Sequence, residues 1–333
     1  MSIALITGIT GQDGSYLAEF LLDRGYTVHG LVRRTSSLER SRLQHLYSNP
    51  AIYGKTLHLH YGDLEQPINF MRILQRVNPS EIYHLAGQSH VGLSFEMAET
   101  TTDSVAMGTL RLLEIIREHP SPVRFFHATS SEIFGRPAVS PQDETTPLAP
   151  VNPYGAAKAF ATQMVRIYRE KFGLYLANGI LYNHESPRRG ENFVTRKICR
   201  TAAAIKLGRA SELRLGDTSA LRDWGDARDY VRGMWMILQQ PVADDFILAT
   251  GVLHSVQDIL ELAFAEVGLD WRNHVRRDER FVRGPELTTL VGNPAKAAAI
   301  GWSPSTRFPE LIRWMVAAEL DAISRDARGE KSG

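Results

Sequence analysis

Through its first half the chain repeats one pattern: a short, nearly uninterrupted apolar run followed by an amphipathic helical stretch. Runs at residues 3–6, 27–32, 57–60, 81–85 and 123–128 alternate with helical periodicity at 14–24, around 70–77 and near 109–118. A strand with one wet face alternates polar and apolar residues. These runs do not, so both faces are expected to be covered, which means a parallel sheet with helices on each side. Beyond Tyr154 one more long helix leads to a strand at 177–182. The chain then becomes irregular and richer in Arg, Gly and Pro, with helices expected at 202–206, 229–238, 256–267 and 311–320 and a strand at 246–249. The expected fold is α/β, a doubly wound parallel sheet in residues 1–182. Residues 183–333 are expected to form mainly a smaller mixed α/β lobe, with some chain returning to the main domain. A chain of 333 residues, 43% hydrophobic, is long enough to bury both cores.

Charge and cysteine usage narrow the function classes. With 38 basic and 37 acidic residues in no long single-sign block, the formal charge is +1, and neither nucleic acid nor a membrane surface is expected as partner. The single cysteine, Cys199, has no thiol to pair with and no second thiol for a metal site. No metal is expected. Met1 runs directly into the first strand without a basic region, and no apolar run reaches the length of a membrane span, so a cytoplasmic enzyme is the default expectation.

The first strand runs into TGITGQDG, which places Gly8, Gly11 and Gly14 at three-residue spacing where strand turns into helix. Such glycines permit the tight turn, let the backbone approach a pyrophosphate and let helix pack on strand, while the helix N-terminus faces the anion. The pattern predicts a Rossmann-type dinucleotide site. An unphosphorylated ribose is normally held by an acidic residue about 20 residues past the turn. Here that place reads Val32-Arg33-Arg34-Thr35-Ser36-Ser37, which suits a 2'-phosphate, so NADP is favoured over NAD. Asp63 and Leu64, and Leu85, Ala86, Gly87, Gln88 and Ser89, follow strands on the same sheet edge. Asp63 is a candidate acceptor for the adenine amino group, and the small residues give the cofactor room.

Further on, Asn152-Pro153-Tyr154-Gly155-Ala156-Ala157-Lys158 opens a helix with Tyr154 and Lys158 on one face. A phenol is a poor base at neutral pH, and a nearby ammonium together with a nicotinamide cation would stabilise its phenolate. The strand at 123–128 ends in Thr129-Ser130-Ser131-Glu132. Alcohol oxidation needs the tyrosine, the lysine and a hydroxyl; the added carboxyl of Glu132 suits removal of a proton next to a ketone and protonation of a leaving hydroxide.

With these motifs in place, the sequence resembles the extended short-chain dehydrogenase/reductases, and within them the GDP-mannose 4,6-dehydratase family. The resemblance covers almost the whole chain. It is carried by TGITGQDG, by 85–91, by the run 179–198 that contains Asn183-His184-Glu185-Ser186-Pro187-Arg188-Arg189-Gly190, and by 221–231 and 290–296. It implies that Tyr154 is the base of oxidation with Lys158 as partner, that Glu132 serves elimination and that Ser130 binds the sugar O4. It also implies that Gly8, Thr10, Gly11, Gln12, Asp13 and Gly14 cradle NADP, tightly held and recycled, that Arg33, Arg34 and Ser36 grip its 2'-phosphate, and that His184 and Arg189 lie along it. The substrate, a GDP-sugar, falls to Ser89, Asn183, Val194, Lys197, Arg222, Arg283 and Glu286. The implied reaction turns GDP-mannose into its 4-keto-6-deoxy derivative, a hydro-lyase reaction with internal hydride transfer from C4 to C6. Members of this kind pair through two helices, so a homodimer or homotetramer is expected.

The sequence departs from the family pattern at Ser130, usually threonine, at Thr100, usually tyrosine, at Val105-Ala106, usually Asp-Gly, and at Arg283-Gly284-Pro285-Glu286, usually Arg-Pro-Thr-Glu. These changes keep a related GDP-sugar such as a GDP-heptose open as substrate. A GDP-4-keto-sugar reductase or epimerase would keep Tyr154 and Lys158 without needing Glu132. A redox-sensing NADP-binding protein would need none of the three.

Overall fold

The structure is a computed structural model that describes residues 2–33, 41–281 and 289–328. Its main sheet has seven strands in the spatial order Asp245–Leu248, Leu176–Leu181, Arg124–Ser130, Glu81–His84, Ile3–Thr7, Thr27–Val32 and Leu57–Tyr61. All six pairings are parallel. The chain starts in the middle, winds outward to Leu57–Tyr61, then crosses back and winds the other way. The order therefore reverses beside Ile3–Thr7, where such sheets open a crevice at their C-terminal edge.

Both faces of the sheet are dry, as the apolar runs required. On one face Ala4, Ile6, Val28 and Phe126 pack against Leu17 and Leu21 of the helix Gln12–Asp23 and against Tyr230 and Met234 of Ala227–Leu238. On the other, Leu5, Leu31, Ile82 and Phe125 meet Phe70 and Leu74 of Pro67–Val77, Leu112 of Gly108–Arg117 and Val165 of Pro153–Phe172. A second core lies beyond the sheet, where Ile198, Cys199, Leu213, Trp224, Ile259, Phe264, Leu311 and Met315 come together from Val194–Lys206, Val256–Glu266, Phe308–Ala327 and short strands. The strand Asp245–Leu248 and the helix before it belong to the main sheet although they follow parts of this second core in sequence.

One row of the main sheet breaks the apolar rule. Thr7, His84, His127, Asn178 and Asp245 sit directly across from one another on five adjacent strands, and all are buried. Thr7 Oγ1 lies 2.7 Å from His84 Nδ1, His127 Nδ1 lies 2.9 Å from Asn178 Oδ1, and Asn178 Nδ2 donates to Asp245 Oδ1 at 2.9 Å. Asp245 closes the row with Arg166 and Arg169 of the long helix Pro153–Phe172. Burial is tolerated because nearly every polar atom in the row has a partner. The exception is His127 Nε2.

Candidate active site

The crevice at the C-terminal edge is a cleft of about 240 Å³ between the Gly-rich turn, the ends of the central strands, the start of the helix Pro153–Phe172 and the segment 181–193. Gly8 has φ of 76°, and a Cβ there would meet Ala86 N at 2.8 Å. A Cβ on Gly14 would lie 2.3 Å from Gly8 O, so the helix seats against the turn only without one. At the helix start Gly11 offers no side-chain cap, which leaves the first-turn N–H groups facing the cleft. Two side-chain atoms at the cleft, Gln88 Oε1 and Arg189 Nε, are buried without a hydrogen-bond partner, although Arg189 Nε lies 3.2 Å from Glu185 Oε2. A glycine cradle that a Cβ would fill, a bare helix N-terminus and these orphaned atoms fit a dinucleotide with its pyrophosphate at the turn.

The segment 183–189 is fastened to the helix that follows that turn. His184 Nε2 lies 2.8 Å from Asp13 Oδ2, Gln12 Nε2 donates to His184 O at 3.1 Å, and Ser186 Oγ donates to Gln12 Oε1 at 2.8 Å. Arg188 reaches Ser15 and Glu19, and Arg42 reaches both Arg188 O and Thr10 O. Burial raises the Asp13 carboxyl, but the charge and hydrogen bond of His184, with Gln12 and Arg189, more than offset it and leave Asp13 below its usual value. For His184, burial pulls the imidazole down and Asp13 pushes it further up, so it ends above its usual value. Both shifts describe an ion pair.

The candidate reactive groups meet at the other end of the cleft. The strand Arg124–Ser130 carries Ser130 to its C-terminal tip, with Glu132 in the tight turn beyond. Ser130 Oγ accepts from Glu132 N at 3.3 Å, so the hydroxyl proton remains free to donate. Tyr154 and Lys158 are buried on the first turns of Pro153–Phe172. Burial drives the Tyr154 phenol up to about 12, with Ser130 and then Arg189 drawing it back. Burial alone brings the Lys158 ammonium down to about 8. Lys158 Nζ stands 6.0 Å from the Tyr154 ring centroid and donates to Ala128 O at 2.6 Å. Of the two, it is the serine rather than the ammonium that draws the phenol down in this arrangement.

The cleft brings together Gly8, Gly11, Gln12, Asp13, Gly14, Leu85, Gln88, Ser89, Ser130, Glu132, Tyr154, Lys158, Asn183, His184 and Arg189. Among the other residues singled out in the sequence, Arg33 is exposed at the end of Thr27–Val32, and Asp63 and Leu64 follow Leu57–Tyr61 on the same sheet edge. Ala86 packs under Gly8. Val194 opens the helix Val194–Lys206, where Lys197 Nζ donates to Arg214 O at 2.7 Å, and Arg222 lies on Leu221–Asp226. None of these seven, nor Thr10 of the Gly-rich turn, lines the cleft itself. Arg34, Ser36, Arg283 and Glu286 lie outside the described residues. Sequence reasoning passed over Phe193, whose ring lies 3.7 Å under the Arg189 guanidinium, and Asn152, whose signal was its place as helix cap before Pro-Tyr. Val105 and Ala106, one of the departures from the family pattern, pack on Ala157 of the helix Pro153–Phe172.

Fold and site together define an extended short-chain dehydrogenase/reductase. A family model described as GDP-mannose 4,6 dehydratase matches residues 5–315, and the chain belongs to that family. It is 49% identical over 330 residues to GDP-mannose 4,6 dehydratase 1 of Arabidopsis thaliana, covering 97% of this chain and 91% of the relative. To the GDP-mannose 4,6-dehydratase of Vibrio cholerae it is 47% identical over 354 residues, covering 97% and 95%. Among solved structures, dTDP-glucose 4,6-dehydratase from Bacillus anthracis shares the fold with a TM-score of 0.84 at 18% identity, covering 97% of this chain and 98% of that one.

Proposed function

We propose that this chain is a GDP-mannose 4,6-dehydratase that yields GDP-4-keto-6-deoxymannose and holds NADP throughout. The observation that carries the reading is one cleft containing Tyr154, Lys158, Ser130 and Glu132 beside a dinucleotide turn, in a chain of this family. NADP, when bound, supplies the acceptor for hydride from C4 and returns that hydride to C6. Ser130 donates its hydroxyl proton toward O4 while Tyr154 takes the O4 proton, and Lys158 stabilises the resulting phenolate from the next turn. The ketone at C4 acidifies the C5 proton. Glu132 removes it and passes a proton to the departing C6 hydroxyl, which leaves as water. A reductase or epimerase has no use for that carboxyl, and a binding protein has none for the set.

Arg33, Arg34 and Ser36 would hold the 2'-phosphate, and Asn183, Val194, Lys197, Arg222, Arg283 and Glu286 the nucleotide. The test is to incubate purified protein with GDP-mannose and catalytic NADP and look by mass spectrometry for loss of one water, with Glu132→Gln alongside. Dehydration by the parent alone supports the reading. No dehydration of GDP-mannose refutes it and turns attention to GDP-heptose.

The reading extends to assembly and location. No helix among the described residues is long and apolar enough to cross a membrane. We place the enzyme in the cytoplasm as a homodimer or homotetramer. The pairing is supported by Phe160 and Ile167, 42% and 51% exposed on the outer face of Pro153–Phe172, since large apolar groups in one row favour a partner. Sedimentation of Ile167→Asp should show smaller particles than the parent; equal sizes would refute this interface.

A further inference from the structure

Asn152 stands one residue before the catalytic helix and is buried, and its side-chain amide is used at both ends. Oδ1 accepts from Gly155 N at 2.7 Å, which caps the helix that carries Tyr154. Nδ2 donates to Glu132 Oε2, also at 2.7 Å. The partners fix the orientation of the amide. Turned over, it would set its NH2 against the Gly155 N–H and its oxygen against a carboxylate, donor to donor and acceptor to acceptor. The two segments it joins are also in direct contact, since a Cβ on Gly155 would lie 2.5 Å from Glu132 O. Among the described residues, no ion pair and no second hydrogen bond holds this carboxylate.

We propose that Asn152 is a positioning residue for the elimination: it holds Oε2 of Glu132 so that Oε1 faces the proton to be removed. This rests on the dehydratase reading above. The amide neither gains nor loses a proton in the reaction, so its part is geometry. As the C5–H bond breaks, its electron pair forms the C5–C6 double bond and its proton goes to Oε1. The C6–O bond breaks with its pair staying on oxygen, and a proton from Glu132 completes the water. Both transfers need one carboxylate oxygen to address two neighbouring carbons of the sugar, and a carboxylate free to rotate would spend little time so placed. Ser130 works on the same turn from the other side by accepting from Glu132 N. Oxidation at C4 uses Tyr154 and Lys158 and makes no demand on the bond from Nδ2 to Glu132.

The separation of steps gives the test. Asn152→Ser and Asn152→Asp both keep an oxygen that can accept from Gly155 N, so the helix keeps its cap. Serine is too short to reach Glu132, and aspartate has no proton to donate. The full-length protein loaded with NADP is mixed with GDP-mannose, and three signals are followed. These are the absorbance of reduced nicotinamide, the uptake of deuterium at C5 from D2O, and the dehydrated product. We expect both variants to oxidise C4 within about twofold of the parent while C5 exchange and dehydration fall roughly 10- to 100-fold. Reduced cofactor then accumulates, with KM little changed. Oxidation and elimination falling together, or neither falling, overturns the proposal. So does failure of both variants to fold, since the amide would then serve the structure first. A parent that does not dehydrate GDP-mannose overturns the functional reading and this one with it; an active parent matched by its variants overturns this one alone.

Discussion

Acidification should destabilise this protein through two histidines that take no part in the chemistry. His84 and His127 are fully buried in the polar row of the main sheet, their rings stacked with centroids 5.8 Å apart. Burial, then the charge of Lys158, takes the His127 imidazole from 6.5 down to about 3, with the Asn178 hydrogen bond working the other way. Burial, then His127 and Lys158, takes His84 well below 6.5. The unfolded chain therefore binds both protons near pH 6.5 while the folded chain refuses them until far lower. In that window the unfolded state holds more protons, so stability rises with pH and is lost as pH falls below about 6.5. At pH 5 the loss is about 2 kcal/mol for His127, with a further loss in the same direction from His84, set against an ordinary folding free energy of about 5–15 kcal/mol. The direct measurement is proton uptake on denaturant unfolding at pH 5.5, for the parent and for His84→Asn with His127→Asn. The parent should take up more protons than the double variant, about one from His127 and a further fraction from His84. Cavities left by the smaller amides lower overall stability without altering this difference. Equal uptake would refute the claim that the pair is held neutral.

Three further outcomes follow from the same structure. Gly14→Ala forces a Cβ to within 2.3 Å of Gly8 O, and since backbone meets backbone the protein should lose about 1–3 kcal/mol and the thermal midpoint should gain less from added NADP. Asp13→Asn removes the charge that holds His184 up, so the imidazole should titrate lower in an NMR pH series; an unmoved titration would refute the ion pair. Cys199 is fully buried, and burial followed by Glu319 and Glu185 raises its thiol, so an aromatic disulfide reagent should react only after unfolding.

What the sequence made legible follows from how local each signal is. The strand at 27–32 and those around it were readable because a strand buried on both faces is apolar at every position, and Gly8 to Gly14 because a tight turn restricts residue type locally. The helix Val194–Lys206 was visible only over its last turn. Its first turns carry Thr195, Arg196 and Arg200, whose burial depends on Glu185 and Glu319, the latter more than 100 residues away in sequence. The short strands Leu213–Leu215 and Val275–Arg277, which pair with one another, were missed for want of length. The polar row was hidden for the same reason in stronger form. Thr7 and His84 are 77 residues apart, His127 and Asn178 51, and Asn178 and Asp245 67, so nothing marks them as neighbours until the strand order is known.

The site shows the same division between what is local and what is assembled. Tyr154 and Lys158 needed only helical spacing to be found, whereas the controls on them come from elsewhere: Ser130 on the phenol, Ala128 O on the ammonium, Asn152 on Glu132. Each reactive group has its own orienting partner, although all lie within two segments, 128–132 and 152–158. On the proposed roles, changing a single neighbour should therefore weaken oxidation or elimination one at a time. Holding the intermediate between those steps is a separate demand, and we propose that the fastening of 183–189 to the Gly-rich turn and the helix behind it serves it. That fastening includes no group that takes or gives a proton to the sugar. A variant that loosens it should raise the share of ketone released early while leaving both chemical steps at their own rates, which is why retention and chemistry are best measured as separate quantities in this enzyme.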